Sequence, residues 1–228
     1  MNAGAEAATH ERAAASVVVH EIYASVQGES SRAGRPCTLV RLSGCNLRCS
    51  YCDTPQAFHG GSRMAVGAAV EKALSFGTEL VLVTGGEPLL QPGVHALMGA
   101  LCDAGKEVML ETSGERDVGE VDARVVRVID LKAPSSGECQ RNRMENLEIL
   151  RGSDELKFVL GDREDYLWAR ALIGQEQLHT RVAEVLLGCV HGALEPRELV
   201  AWVLEDRLPV RVQLQLHKYI WSPDTQGV

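Results

Sequence analysis

Apolar, β-branched runs recur along this chain with helix-periodic segments between them, and that alternation constrains the fold more than any other feature. Residues 16–22, 37–42, 80–84, 107–111, 125–131, 156–160, 181–187 and 210–214 read as strands. The middle runs are continuously apolar, as strands buried on both faces require. Residues 64–75, 93–104, 163–173 and 196–204 place apolar side chains at helical spacing. Pro196 suits the first turn of its helix, where a missing N–H costs nothing. Such alternation implies right-handed crossovers and an α/β fold with a mostly parallel sheet, six to eight strands curling into a full or partial barrel. Ligands of such sheets gather at the carboxyl ends of the strands. Residues 133–152 are polar and read as a loop with a short helix.

No Pro-, Gly- or Ser-rich linker divides the chain and no repeat is present, so one domain over residues 16–228 is expected. Residues 1–15 read as a poorly ordered extension. They lack the basic-then-apolar order of a secretory leader, and the protein is expected to be cytoplasmic. No apolar run approaches the ~20 residues that span a bilayer, so no membrane partner is expected. Net charge is −8, from 23 basic and 31 acidic residues, which argues against a broad grip on a nucleic-acid backbone.

Seven cysteines are present, an odd number that argues against a disulfide framework. Cys37, Cys102, Cys139 and Cys189 are scattered and read as small buried hydrophobes. Cys45, Cys49 and Cys52 instead crowd into eight residues directly after a strand. Structural zinc takes four closed ligands, and only His59 stands near enough in sequence to complete the set. An iron–sulfur cluster with three cysteines keeps one iron open to an exchangeable ligand. A second motif, Val83-Thr84-Gly85-Gly86-Glu87-Pro88, ends an apolar strand. Its paired glycines let backbone approach a ligand closely, or simply make a tight strand-to-helix turn.

CxxxCxxC followed by GGEP resembles the radical S-adenosylmethionine superfamily, which implies a partial (β/α)6-type barrel, a [4Fe-4S] cluster on Cys45, Cys49 and Cys52, and S-adenosylmethionine at the open iron. VQGES, RLSGCNLRCSYCDT, TGGEP and QLHK together resemble the 7-carboxy-7-deazaguanine synthases over residues 21–218. That resemblance implies a lyase acting on a pterin, 6-carboxy-5,6,7,8-tetrahydropterin. The product is 7-carboxy-7-deazaguanine, an intermediate of queuosine and other 7-deazapurine pathways, and ammonia is lost. It also implies Mg2+, a homodimer, and an electron donor such as a flavodoxin. S-adenosylmethionine acts catalytically in this family, through hydrogen abstraction at carbon 6 of the pterin.

Residue by residue, the resemblance assigns Val26, Gln27, Gly28, Glu29, Arg41, Thr84 and His217 to the substrate. Tyr51, Cys52, Asp53, Gly86, Glu87, Asp130, Leu131 and Lys132 fall to S-adenosylmethionine, and Thr54 to Mg2+ with substrate oxygens completing its shell. No acid–base residue is assigned, and Glu111 to Gly114 carry no assigned role. Plainer readings stand beside these. Gln27 and Glu29 also suit a solvated turn, Thr54 a cap and His217 a structural role. On the strand, alternation puts Cys37, Leu39, Arg41 and Ser43 on one face. An inward arginine needs an anion, which is either a substrate carboxylate or an internal glutamate. The chain-terminal carboxylate contacts of shorter relatives do not carry over to a tail that continues past Lys218. A glycyl-radical activase would share CxxxCxxC without QGE, the CDT threonine or QLHK. A zinc-binding interaction protein would hold zinc without iron or sulfide.

Overall fold

The computed structural model describes residues 15–222 and 225–228. The first 14 residues, nearly all of the expected extension, lie outside the described residues. Among the described residues nine strands form one sheet: β1 (Ser16–Val26), β2 (Pro36–Leu42), β3 (Ser62–Ala65), β4 (Leu80–Gly85), β5 (Glu107–Thr112), β6 (Val126–Asp130), β7 (Glu155–Leu160), β8 (Glu184–Cys189) and β9 (Arg211–Val212). Their order is β3-β1-β2-β4-β5-β6-β7-β8-β9. From β2 through β9 every neighbouring pair is parallel, and β1 and β3 form an antiparallel margin. The sheet stays open, since β3 and β9 do not pair. Among the described residues five helices accompany it: α1 (Val66–Leu74), α2 (Val94–Asp103), α3 (Arg163–Gln175), α4 (Pro196–Asp206) and the short α5 (His217–Ile220).

Period-two alternation divides the core in two. Val40, Leu42, Val81, Val83, Val108 and Leu110 face the helices and pack on Ala69, Leu97, Leu101, Tyr166 and Ala169. Cys37, Leu39, Leu80, Leu82, Met109, Val126, Val128 and Leu186 form a smaller cluster on the opposite, inner face. At the amino end of this inner face the β1–β2 loop acts as a plug. Arg32 bonds Glu107 at 3.0 Å and Glu155 at 2.8 Å, and Arg35 bonds Glu107 at 2.7 Å. Towards the carboxyl ends the inner residues become polar: Arg41, Thr84, Glu111 and Asp130.

Several elements depart from the sequence expectation. Pairing with β2 carries β1 on to Val26, in register with Pro36. Met64 begins no helix but lies in β3, held by the edge of β1. A 3-10 turn at Leu178–Thr180 delays β8 to Glu184, and only two residues of 210–214 join the ladder. The connections from β5 to β6 and from β6 to β7 contain no α-helix. Asn146 stitches them instead, donating to the carbonyls of Gly114 and Arg116 at 2.9 and 2.8 Å. Of the scattered cysteines only Cys37 is fully buried; Cys102, Cys139 and Cys189 are partly exposed. No helix among the described residues is long and apolar enough to cross a membrane.

Candidate active site

A cavity of about 660 Å³ opens at the carboxyl ends of the parallel strands, a volume typical of small-molecule sites. The loop after β2 brings Cys45, Cys49 and Cys52 to its wall, with Tyr51, Asp53 and Thr54 beside them. Burial raises all three thiols above their ordinary range, Cys49 to about 11 with Lys132 pulling the other way. No three His, Cys, Asp or Glu side chains among the described residues converge as a single-ion site would require. His59, the fourth ligand a zinc reading needs, is exposed and lines a separate, shallower pocket. Three thiols on one loop, facing a cavity, are the set that a [4Fe-4S] cluster with one open iron requires.

The Gly85-Gly86 turn is pressed onto that loop. Gly85 has φ +150°, and a Cβ there would strike the backbone of Leu42. A Cβ on Gly86 would strike the carbonyl of Gly44 and come within 2.8 Å of Cys45 Cβ. Gly86 N donates to Leu42 O at 3.1 Å and Glu87 N to Gly44 O at 2.8 Å. The paired glycines thus first serve a close approach between two loops of the protein. Glu87, assigned by sequence to the cofactor, is fully buried away from the cavity. Its carboxylate accepts from Leu89 N, Thr112 Oγ1, Ser113 N and Ser113 Oγ at 2.7–2.9 Å. Its side chain is a brace between β4 and β5.

Asp130 and Lys132 reach the cavity, whereas the Leu131 side chain points into the outer core. Lys132 Nζ lies 2.9 Å from Asp130 Oδ2. Burial favours its neutral form, but Asp130 and Cys49 outweigh that and hold it charged. Asp130 Oδ1 is buried without a partner among the described residues, leaving an acceptor for a ligand donor on this wall. Tyr51 donates to Val159 O at 3.1 Å. Thr54 occupies the N-cap position of a 3-10 turn without capping it, and its hydroxyl donates to Asp53 Oδ1 at 2.9 Å. Asp53 in turn meets Gln215 Nε2 at 3.1 Å and Lys218 Nζ at 3.6 Å. Burial works against its charge, yet Lys218 and Lys157 hold its carboxyl at about 2.

The opposite wall carries the residues assigned to the substrate. Arg41 bonds Glu21 Oε1 at 2.8 Å and Tyr23 Oη at 3.1 Å, so the internal-glutamate reading is realised. A bulge between Val19 and Glu21 turns Glu21 and Tyr23 inward to meet it. Gln27 is buried, donates to Met109 Sδ at 3.7 Å and accepts from Glu29 N at 3.4 Å, so it is no solvated turn residue. Val26, Gly28, Thr84 and His217 also line the cavity. A Cβ on Gly28 would lie 2.9 Å from His217 Nδ1, so the imidazole stacks directly on that glycine. Burial lowers the His217 pKa and favours the neutral ring.

At the base stands Lys157, which the sequence reading passed over. Its Nζ lies 2.8 Å from Glu29 Oε2, 2.6 Å from Glu111 Oε1 and 3.9 Å from Asp130 Oδ2. A lysine at an inward position inside the apolar run of β7 was the signal that could have found it. Burial, with the charge of Glu111, outweighs Lys157 and pushes Glu29 up to about 7. Glu111 is held low, since Lys157 overcomes its burial. Residues 225–228 also line the cavity.

Residues 39–131 match the radical SAM superfamily. The chain is 47% identical to the 7-carboxy-7-deazaguanine synthase of Chlorobaculum tepidum over 213 residues, covering 92% of this chain and 96% of that protein. It is 44% identical to the protein of the same name from Koribacter versatilis, over 92% of this chain and 99% of that one. The crystal structure of QueE from Escherichia coli superposes with a TM-score of 0.70 at 18% identity, covering 91% and 97% of the two chains, and shares the fold. Near-complete coverage at this level of identity places the chain in the 7-carboxy-7-deazaguanine synthase family.

Proposed function

We propose that this protein converts 6-carboxy-5,6,7,8-tetrahydropterin to 7-carboxy-7-deazaguanine with loss of ammonia, as a radical S-adenosylmethionine lyase. The observation that carries this reading is that Cys45, Cys49 and Cys52, the Gly85-Gly86 turn and the Glu29–Lys157–Glu111 group share one cavity. Cys45, Cys49 and Cys52 would hold a [4Fe-4S] cluster. Gly86, Tyr51, Asp53, Asp130 and Lys132 would hold S-adenosylmethionine, with the unpaired Asp130 oxygen taking one of its donors. When bound and reduced, that pair supplies an adenosyl radical able to take hydrogen from carbon 6 of the pterin.

The chain's own residues bind, orient and shield. Gln27 and Glu29 present an amide and a carboxyl to the donor–acceptor edge of the pterin ring. Lys157 keeps Glu111 ionised while Glu29 holds or gives up a proton near neutral pH. Arg41 offers its guanidinium to the substrate carboxylate in competition with Glu21. Thr84 and His217 close the sides, and Val26, Leu39, Leu82 and Phe58 supply an apolar lining that excludes water. Thr54 would hold Mg2+, an oxygen-seeking ion whose other ligands come from substrate and water.

Residues 16–228 act as one catalytic domain in this reading. The protein works in the cytoplasm as a homodimer, draws electrons from a flavodoxin-type donor and feeds queuosine biosynthesis and tRNA modification. Anaerobic incubation of reconstituted enzyme with carboxytetrahydropterin, S-adenosylmethionine and dithionite, with and without Mg2+, tests the activity. A deazapurine product, increased by Mg2+, is expected. A cluster-replete enzyme that leaves the pterin unchanged would overturn the reading.

A further inference from the structure

The turn that carries Gln27, Gly28 and Glu29 continues into a residue under backbone strain. Ser30 has φ +70°, the left-handed region that a non-glycine side chain rarely adopts. Such a residue persists only where its surroundings over-determine it, and these conformations cluster at ligand-binding positions. Local bonds from Arg32 N at 3.0 Å and Ala33 N at 3.3 Å hold its hydroxyl and carbonyl, while its N–H is held from the far end of the chain. Gln213, just past β9, accepts the Ser30 N–H on Oε1 at 2.8 Å and donates from Nε2 to Glu29 Oε1 at 3.3 Å. Its own backbone is held separately, since Gln213 N donates to Leu187 O at 2.9 Å. Three residues after Gln213, Leu216 N donates to Gly28 O at 3.0 Å, on the same turn.

Gln213 does not line the cavity, yet it is buried and both ends of its amide are used on this turn. We infer that Gln213 is a positioning residue for substrate binding: it clamps the strained Ser30 backbone and aims the Glu29 carboxylate at Lys157, so that Glu29 meets the pterin in a fixed orientation. This rests on the functional reading above. Released from Gln213, Ser30 would relax towards negative φ. Glu29, three bonds of backbone away, would swing off the Lys157 ammonium that it shares with Glu111.

Strain makes the inference testable apart from general packing. Glycine adopts φ +70° freely, so Ser30→Gly should restore the turn in a protein that has lost the clamp. The measurement is the dissociation constant for 6-carboxy-5,6,7,8-tetrahydropterin, by equilibrium dialysis against holoenzyme with S-adenosylmethionine and Mg2+ but no reductant. Gln213→Leu should weaken binding about 10- to 100-fold, the worth of one or two hydrogen bonds involving a charged group. Gln213→Leu/Ser30→Gly should recover most of that loss.

Because Gln213 is buried, Gln213→Glu serves as a second variant that keeps the acceptor for Ser30. It adds a carboxylate beside Glu29, which already faces Lys157 from β7, Glu111 from β5 and Asp53 from the cysteine loop. Its binding should therefore be weaker at pH 8 than at pH 6 by a larger factor than in the wild type. Wild-type affinity in Gln213→Leu, a double variant as weak as Gln213→Leu, or a Gln213→Glu protein with the wild-type pH dependence would overturn the assignment. A wild-type holoenzyme that does not bind the pterin would instead sink the functional reading itself.

Discussion

One oxygen of Glu87 takes both the backbone N–H and the hydroxyl of Ser113, at 2.8 and 2.7 Å. This bond ties the glycine turn after β4 to the end of β5, and through Gly86 it fixes where the Cys45 loop can sit. Glu87→Ala would leave the buried Ser113 and Thr112 donors without their acceptor, at a cost of roughly 2–5 kcal/mol. Thermal unfolding should show a lower Tm, and S-adenosylmethionine should bind more weakly as the turn loosens. An unchanged Tm would show that the brace is dispensable.

Removing the shared ammonium should be harmful in a pH-dependent way. Lys157→Met leaves Glu29 and Glu111 facing each other, and breaking a buried ion pair of this kind costs roughly 3–5 kcal/mol. The loss should shrink at acid pH, where the carboxylates take up protons. Urea unfolding at pH 6 and pH 8 measures the difference. Equal losses at the two values would contradict the arrangement.

Wild-type stability should carry the signature of Glu29. Its folded pKa, about 7, lies above the ordinary carboxylate value near 4.5, so between those values the folded state binds more protons than the unfolded one. The contribution of Glu29 therefore falls as pH rises through that window and levels off above it, by of order 1–3 kcal/mol. His217 acts oppositely: its lowered pKa makes stability rise with pH in the region below 6.5. Unfolding free energies from pH 4.5 to 8 should therefore slope less steeply downward in Glu29→Gln than in the wild type. A slope that does not change would contradict the raised pKa.

The layered plan of the molecule was legible because apolar runs and helical periods are local signals. The strands at 37–42, 80–84 and 107–111 and the four main helices sit where those periods put them, to within a few residues. β3 was invisible because its four residues are strand only by pairing with β1, a tertiary fact that no period records. The site was legible wherever a motif repeats a chemical need: three thiols, paired glycines, an inward arginine. Glu21 escaped because a bulge reverses the face on which it lies, and Lys157 because it hides in an apolar strand. The side chains of Glu87 and Leu131 turn away from the cavity for a related reason. Adjacency in a motif says nothing about which way a side chain points.

The cysteine loop yields a simple contrast. Cys45→Ala, Cys49→Ala and Cys52→Ala should each lose most iron and sulfide after anaerobic reconstitution, while His59→Ala should retain wild-type content. Elemental analysis decides the matter. Zinc bound in the wild type and lost with His59 would restore the structural-zinc reading.

Electron paramagnetic resonance of the dithionite-reduced protein, recorded with and without S-adenosylmethionine, tests the central claim most directly. A reduced cluster with one iron free of protein sulfur should give a signal that changes when the sulfonium cofactor is added, because amino and carboxylate groups then reach that iron. A protein that holds no cluster, or one whose signal is indifferent to S-adenosylmethionine, would contradict the account.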